Sequence, residues 1–171
     1  IPVTVVDSRN CTLGLGMIVA DCARLARDGA DATTVADRAR DLAQRTRVWG
    51  ALDTLDNLKK GGRIGGARAL LASALAIKPI IEVRDGKVEQ GGKQRTRSKA
   101  LAFLVEKLQS ITAAGGTVEN LAVLHADCSD VDQFVELLRP HYAGEIVIGD
   151  IGPVVGTPAG RGTIGIAFHE G

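Results

Sequence analysis

Arg63 is the residue with the clearest chemical potential. It lies in Leu58-Lys59-Lys60-Gly61-Gly62-Arg63-Ile64-Gly65-Gly66, where four glycines and three cations occupy nine positions. Its guanidinium is a fixed cation with a planar fork of donors that suits carboxylate or phosphate. Glycines on both sides let the backbone turn sharply or come close to another group. A helix beginning near Ala67 would aim its first amides, and the positive end of its dipole, into this loop. An anion site follows, with carboxylate and phosphate equally open. The plain alternative is a Gly-Gly junction between two helices, its lysines set against a helix C-terminus. Other groups offer less. The serines Ser8, Ser73, Ser98, Ser110 and Ser129 include no GxSxG elbow. His125-x-Asp127-Cys128 matches no metal-ligand spacing and reads as a histidine closing a strand. Neither glycine-rich segment fits GxxxxGK(S/T), and Gly14 and Gly16 lack the third glycine of a dinucleotide fingerprint. Close helix packing explains that pair better. Donors without a convincing base favour binding over catalysis.

These residues need elements to hold them. The β-branched run over residues 3–6 predicts a buried strand, closed by Asp7-Ser8, and the apolar pattern from Met17 to Ala26 predicts a helix ending at Asp28-Gly29. In α/β sheets ligands lie beyond the carboxyl ends of strands, which puts Asp7, Ser8 and Thr12 in position for a site. Asp31 caps a second helix reaching about Thr46; a strand over 48–52 and a short helix ending at Lys60 lead into the glycine loop. Residues 67–76 are almost wholly apolar, including Leu70, Leu71 and Leu75, and predict a helix buried on every side, against protein or a bound apolar molecule. A strand over 77–83 then turns at Asp85-Gly86 into a hairpin. Lys93, Arg95, Arg97 and Lys99 precede a helix running to about Ala114. Cations are disfavoured at a helix N-terminus, so this cluster suggests docking to an acidic or phosphorylated partner. Strands over 121–125 and 145–149, a helix over 130–138, a glycine-rich loop over 151–162 and a closing strand over 163–168 complete the order. Such alternation predicts an α/β fold with a largely parallel sheet flanked by helices.

The bulk numbers narrow the function classes. A 171-residue chain that is 45% apolar and 24% charged is long enough to bury a real core. A net charge of +1 provides no global field for nucleic acid, and 3% aromatic content argues against base-stacking platforms. Three scattered cysteines, Cys11, Cys22 and Cys128, fit a reducing cytoplasm rather than a disulfide framework. No apolar run approaches the length of a membrane span, which leaves only transient membrane contact. The chain opens on Ile1-Pro2-Val3, directly in a strand-like pattern, and is expected to be the C-terminal part of a longer polypeptide.

Five strings in order, VVDSRNCTLGLG, LDNLKKGGRIGG, IKPI, KQRTRSKAL and IGPVVGTPAGRG, resemble the DegV-like fatty-acid-binding proteins and cover nearly the whole chain. The resemblance implies a two-domain α/β architecture enclosing a fatty acid in an apolar tunnel. It further implies presentation of the carboxylate to a fatty acid kinase, which makes the acyl phosphate. On that basis residues 1–47 belong with a missing N-terminal domain, and residues 48–171 form the C-terminal lipid-binding domain. The protein would be a bacterial carrier subunit rather than an enzyme, cytoplasmic, with a fatty acid as ligand and no cofactor or metal. Arg63 matches the arginine near the mouth of the lipid site, Thr12 stands where the family usually has serine after VVDS, Ser8 is the serine of that VVDS, and Thr157 falls on the last matched segment. Leu70, Leu71 and Leu75 would line the tunnel, and Lys93, Arg95 and Arg97 lie in the segment associated with kinase docking. Pro158 occupies the place of a family histidine and can neither donate a hydrogen bond nor change charge. The hydroxyls that grip the carboxylate in the family precede VVDS. Burying about 14 methylenes at ~0.8 kcal/mol each gives roughly 11 kcal/mol of gross transfer energy, so the chain supplies affinity and the head group orientation. Two rival classes remain: a phosphotransfer enzyme on a related scaffold, and a structural or dimerisation piece.

Overall fold

The structure, a computed structural model, describes residues 2–171, with residues 72–76 described by their backbone alone. Two helices come first, α1 (Thr12–Arg27) and α2 (Ala32–Arg45), followed by β1 (Thr46–Ala51) and the short α3 (Asp56–Lys60). A 3-10 segment, Gly65–Ala76, leads to the hairpin of β2 (Lys78–Arg84) and β3 (Lys87–Gln94), then α4 (Arg97–Ala113) and β4 (Val118–His125). The chain ends with α5 (Val131–Leu138), β5 (Val147–Asp150), α6 (Pro153–Ala159) and β6 (Ile164–Glu170).

The six strands form one sheet in the order β3-β2-β1-β6-β4-β5. The expected mixture of helices and sheet is present, but the expected parallel sheet is not. Only β4 and β5 run parallel, joined by a right-length crossover through α5; every other neighbouring pair is antiparallel. Alternation of strands and helices along the chain does not fix direction. A connection makes parallel neighbours only when it carries the chain back to the starting end of the sheet. Here α6 turns the chain over at the end of β5, and β6 returns between β1 and β4.

Period-two alternation assigns the two faces. From β4, Leu121 and Val123 join Ile164, Ile166 and Phe168 of β6 beneath α4 and α5, where Leu104, Leu108, Phe134 and Leu138 are fully buried. Ala122, Leu124 and Ala167 face the other way and meet Met17 of α1, Val48 and Ile151. Gly14 permits that second contact: a Cβ there would lie 2.6 Å from Val48 Cγ2. Close helix packing thus accounts for Gly14, while Gly16 meets only Leu13 of its own helix.

Three local expectations are revised. Residues 2–11 form no strand, and Val3 and Val5 are 82% and 87% exposed. A β-branched run becomes a strand by pairing, and no described strand lies beside this one. The segment after the glycine loop is 3-10 rather than α-helical, and it is not buried on every side. Ile64, Ala67 and Leu70 are buried with the three-residue period of that helix, while Arg68 and Ala69 are exposed. The glycine-rich stretch over 151–162 is not a plain loop either. Pro153 starts α6, where its missing N–H costs nothing, and Gly160 ends it with φ +87°.

Candidate functional site

The Leu58–Gly66 stretch wraps the C-terminal end of α3. Gly61 N–H donates to Asn57 O at 2.9 Å and Arg63 N–H to Leu58 O at 2.9 Å, while Gly62 takes φ +66°. Leu58 and Ile64 anchor the two sides of this wrap in an apolar cluster with Leu52, Leu55, Ala67 and Leu70. Arg63 is therefore left outside, where its Nη1 donates to Gly61 O at 3.1 Å and the side chain meets no carboxylate among the described residues. Helix α6 stands opposite. Gly160 is fitted against Asn57, whose Nδ2 would lie 2.4 Å from a Cβ at that position, and Gly61 approaches Pro158.

Between them lies a cleft of about 500 Å³, lined by Asn57, Lys60, Gly61, Arg63, Pro153, Val154, Thr157 and Pro158. Its lining contains two cations and no carboxylate. Lys60 and Arg63 form no ion pair among the described residues, and the Thr157 hydroxyl has no hydrogen-bond partner among them. Val154, on the α6 lip, is 88% exposed. The arrangement can hold an anion against Lys60 and Arg63 with an apolar group across from it.

The structure unites some of the predicted residues and separates others. Arg63 and Thr157 share this cleft. Ser8 lies in a different depression, an apolar groove of about 710 Å³ between residues 2–8, α1 and α2, and its hydroxyl accepts from Asn10 N–H at 3.2 Å. Thr12 begins α1 with φ +49°, its hydroxyl buried without a partner, as is Asn10 Oδ1 nearby. Leu70 is part of the apolar cluster beneath the cleft, Leu71 is half-buried at its edge, and the side chain of Leu75 lies outside the described residues.

The basic segment also divides. Arg97 Nε and Nη2 donate to the two carboxylate oxygens of Asp130 at 2.8 and 2.9 Å, and Nη1 donates to Gly162 O at 2.5 Å. That pairing pushes the Arg97 pKa up and holds Asp130 below the usual carboxylate range. Lys93 lies on β3, and Arg95 is exposed between β3 and the Thr96 cap of α4.

Of the histidines, His125 Nε2 stands 3.5 Å from Asp150 Oδ1, and its Nδ1 is buried without a partner. No group able to hold a metal ion is present among the described residues. His169, on β6 near the end of the chain, is fully buried. Thr46 Oγ1 donates to Leu42 O at 2.6 Å, so it accepts from His169 Nδ1 at 2.9 Å, leaving Nε2 bare. Burial pushes the His169 pKa down.

Sequence reasoning passed over Asn57 and Lys60 as individual residues. Their three-residue spacing on α3, next to Gly61, was the available signal.

The model of the DegV family matches residues 1–171, the entire chain. The chain belongs to the DegV family. It is 36% identical over 168 residues to a DegV domain-containing protein of Clostridium acetobutylicum, covering 98% of this chain and 59% of that one. A DegV domain-containing protein of Deinococcus radiodurans is 37% identical over 171 residues, at 98% and 60% coverage. Among solved structures, a fatty-acid-binding DegV family protein from Thermus thermophilus superposes with TM-score 0.84 at 29% identity, covering 97% of this chain and 60% of that one. DegV, a fatty acid binding protein from Bacillus subtilis, gives TM-score 0.81 at 28% identity, with 96% and 59% covered. The DegV chain described here thus spans about three-fifths of the length of these relatives. No described helix is long and apolar enough to cross a membrane.

Proposed function

We propose that this DegV chain forms the head-group side of a long-chain fatty-acid site, and that the whole protein presents the bound carboxylate to a fatty acid kinase. The observation that carries this reading is the carboxylate-free cleft holding Arg63, Lys60 and Thr157 at the edge of an apolar cluster. Arg63 supplies charge and a fork of donors, and Thr157 supplies a hydroxyl. Val154 and Pro153 offer apolar surface to the first methylenes. Solved relatives at 28% and 29% identity whose names record fatty-acid binding support the ligand class.

In this reading the kinase carries the catalysis. It moves the γ-phosphoryl of ATP onto a carboxylate oxygen and releases ADP, while the DegV protein holds the acid and shields its chain. Arg95 and Lys93 serve the docking surface, and Arg97 braces the loop behind it. Residues 48–171 carry the head-group cleft, and residues 1–47, with Ser8, Thr12 and the open apolar groove, pack with a further domain. An ATP-dependent partner sets the cytoplasm as the compartment.

The test is mass spectrometry of lipid extracted from the full-length protein, followed by incubation with labelled ATP and a fatty acid kinase. A stoichiometric long-chain acid, converted to acyl phosphate only when kinase is present, is the expected result. Absence of any acyl ligand, or acyl phosphate formed without kinase, would overturn the proposal.

A further inference from the structure

Two cations line the cleft where one would neutralise a carboxylate. Lys60 extends from the last turn of α3 on the same face as Asn57, three residues earlier, and Arg63 follows from the loop. The opposite wall gives little to an anion: Pro153 and Pro158 have no N–H, Val154 is apolar, and only Thr157 carries a side-chain donor. The donors therefore converge from one side, with charge to spare. A monoanion is matched by Arg63 alone, and the second cation then has no counter-charge in the lining. A phosphate dianion uses both.

We propose that Lys60 is a specificity-determining residue that makes the cleft favour a phosphate head group, carried on an acyl chain, over the free carboxylate. The inference rests on the fatty-acid reading and deepens it: Arg63 holds either head group, and Lys60 contacts the added phosphoryl oxygens. A lysine at this position also complements the C-terminal dipole of α3, which would give it a purely structural role. Lys59 separates the two explanations. It sits on the same helix end with the same charge, yet does not line the cleft.

The experiment measures affinity of the delipidated full-length protein for hexadecanoate and for hexadecyl phosphate, a stable dianionic mimic, in wild type, Lys60→Gln and Lys59→Gln. Loss of a charge-assisted contact predicts that Lys60→Gln weakens hexadecyl phosphate about ten-fold and hexadecanoate less than about two-fold. Lys59→Gln should change neither by more than about two-fold, as expected of exposed charge. Equal effects of Lys60→Gln on both ligands, no effect on either, or the same loss in Lys59→Gln would overturn the role of Lys60. Wild-type protein that binds hexadecanoate but not hexadecyl phosphate would also overturn it and leave the fatty-acid reading intact. Wild-type protein that binds neither ligand would overturn both.

Discussion

Arg97 and Arg63 are both arginines in basic, loop-adjacent segments, yet the fold treats them in opposite ways. Arg97 is half-buried and spends its donors on both oxygens of Asp130 and on Gly162 O, tying the start of α4 to the loops after β4 and α6. Arg63 is exposed, donates to one carbonyl two residues away, and faces a cleft without carboxylates. The difference lies in what each side chain finds in space. An arginine whose donors are taken up by the fold holds structure together, whereas one with donors to spare is available to a ligand.

Removing each arginine should expose the contrast. Arg97→Ala leaves Asp130 without its partner in a partly buried site and should destabilise the fold by about 2–4 kcal/mol, measured by urea denaturation. A second locked group is His169. Its folded pKa lies below the ordinary 6.5, so the unfolded chain binds more protons as the pH drops. Its contribution to stability is fully present above that value and is lost as the pH falls beneath it. Asp21, Arg38, Arg45 and Glu119 surround it with both signs of charge. A series of urea midpoints from pH 7 to pH 5 should fall for wild type and be flatter for His169→Gln. Asp130 gives a smaller effect at more acid pH. Its pKa is depressed below 3.8, so its stabilisation is present above that value and lost as the pH falls through the folded pKa. Arg97→Ala should abolish that acid limb. Arg63→Ala should change the urea midpoint least, by no more than about 0.5 kcal/mol in stability.

The contrast was only half legible in the sequence. Local chemistry was readable where it is self-contained. Asp31 caps α2, accepting from Thr34 N–H at 2.8 Å, and Asp85-Gly86 turn the β2–β3 hairpin with φ of +51° and +73°. Arg63 beside Thr157 was anticipated only through the family motifs, since α6 reads as a glycine-rich loop. The partners of Arg97 were not readable, because Asp130 lies 33 residues away and nothing local joins them. Sheet direction was hidden for the same reason. The pattern that predicts β4-α5-β5 as a parallel unit is sound, but the antiparallel placement of β6 depends on long-range pairing with β1 and β4. Leu70 shows a further limit. An apolar residue near a ligand loop and one filling the core beneath it look alike in sequence, and here it fills the core.

The central claim is that Arg63 marks the head-group end of a fatty-acid site. The most direct measurement is oleate affinity of the delipidated full-length protein, wild type against Arg63→Ala, with folding of both verified by circular dichroism. Loss of a charged hydrogen-bond donor predicts affinity weakened about ten-fold or more, with acyl phosphate formation by the kinase reduced in step. Unchanged oleate affinity together with unchanged acyl phosphate formation would contradict it.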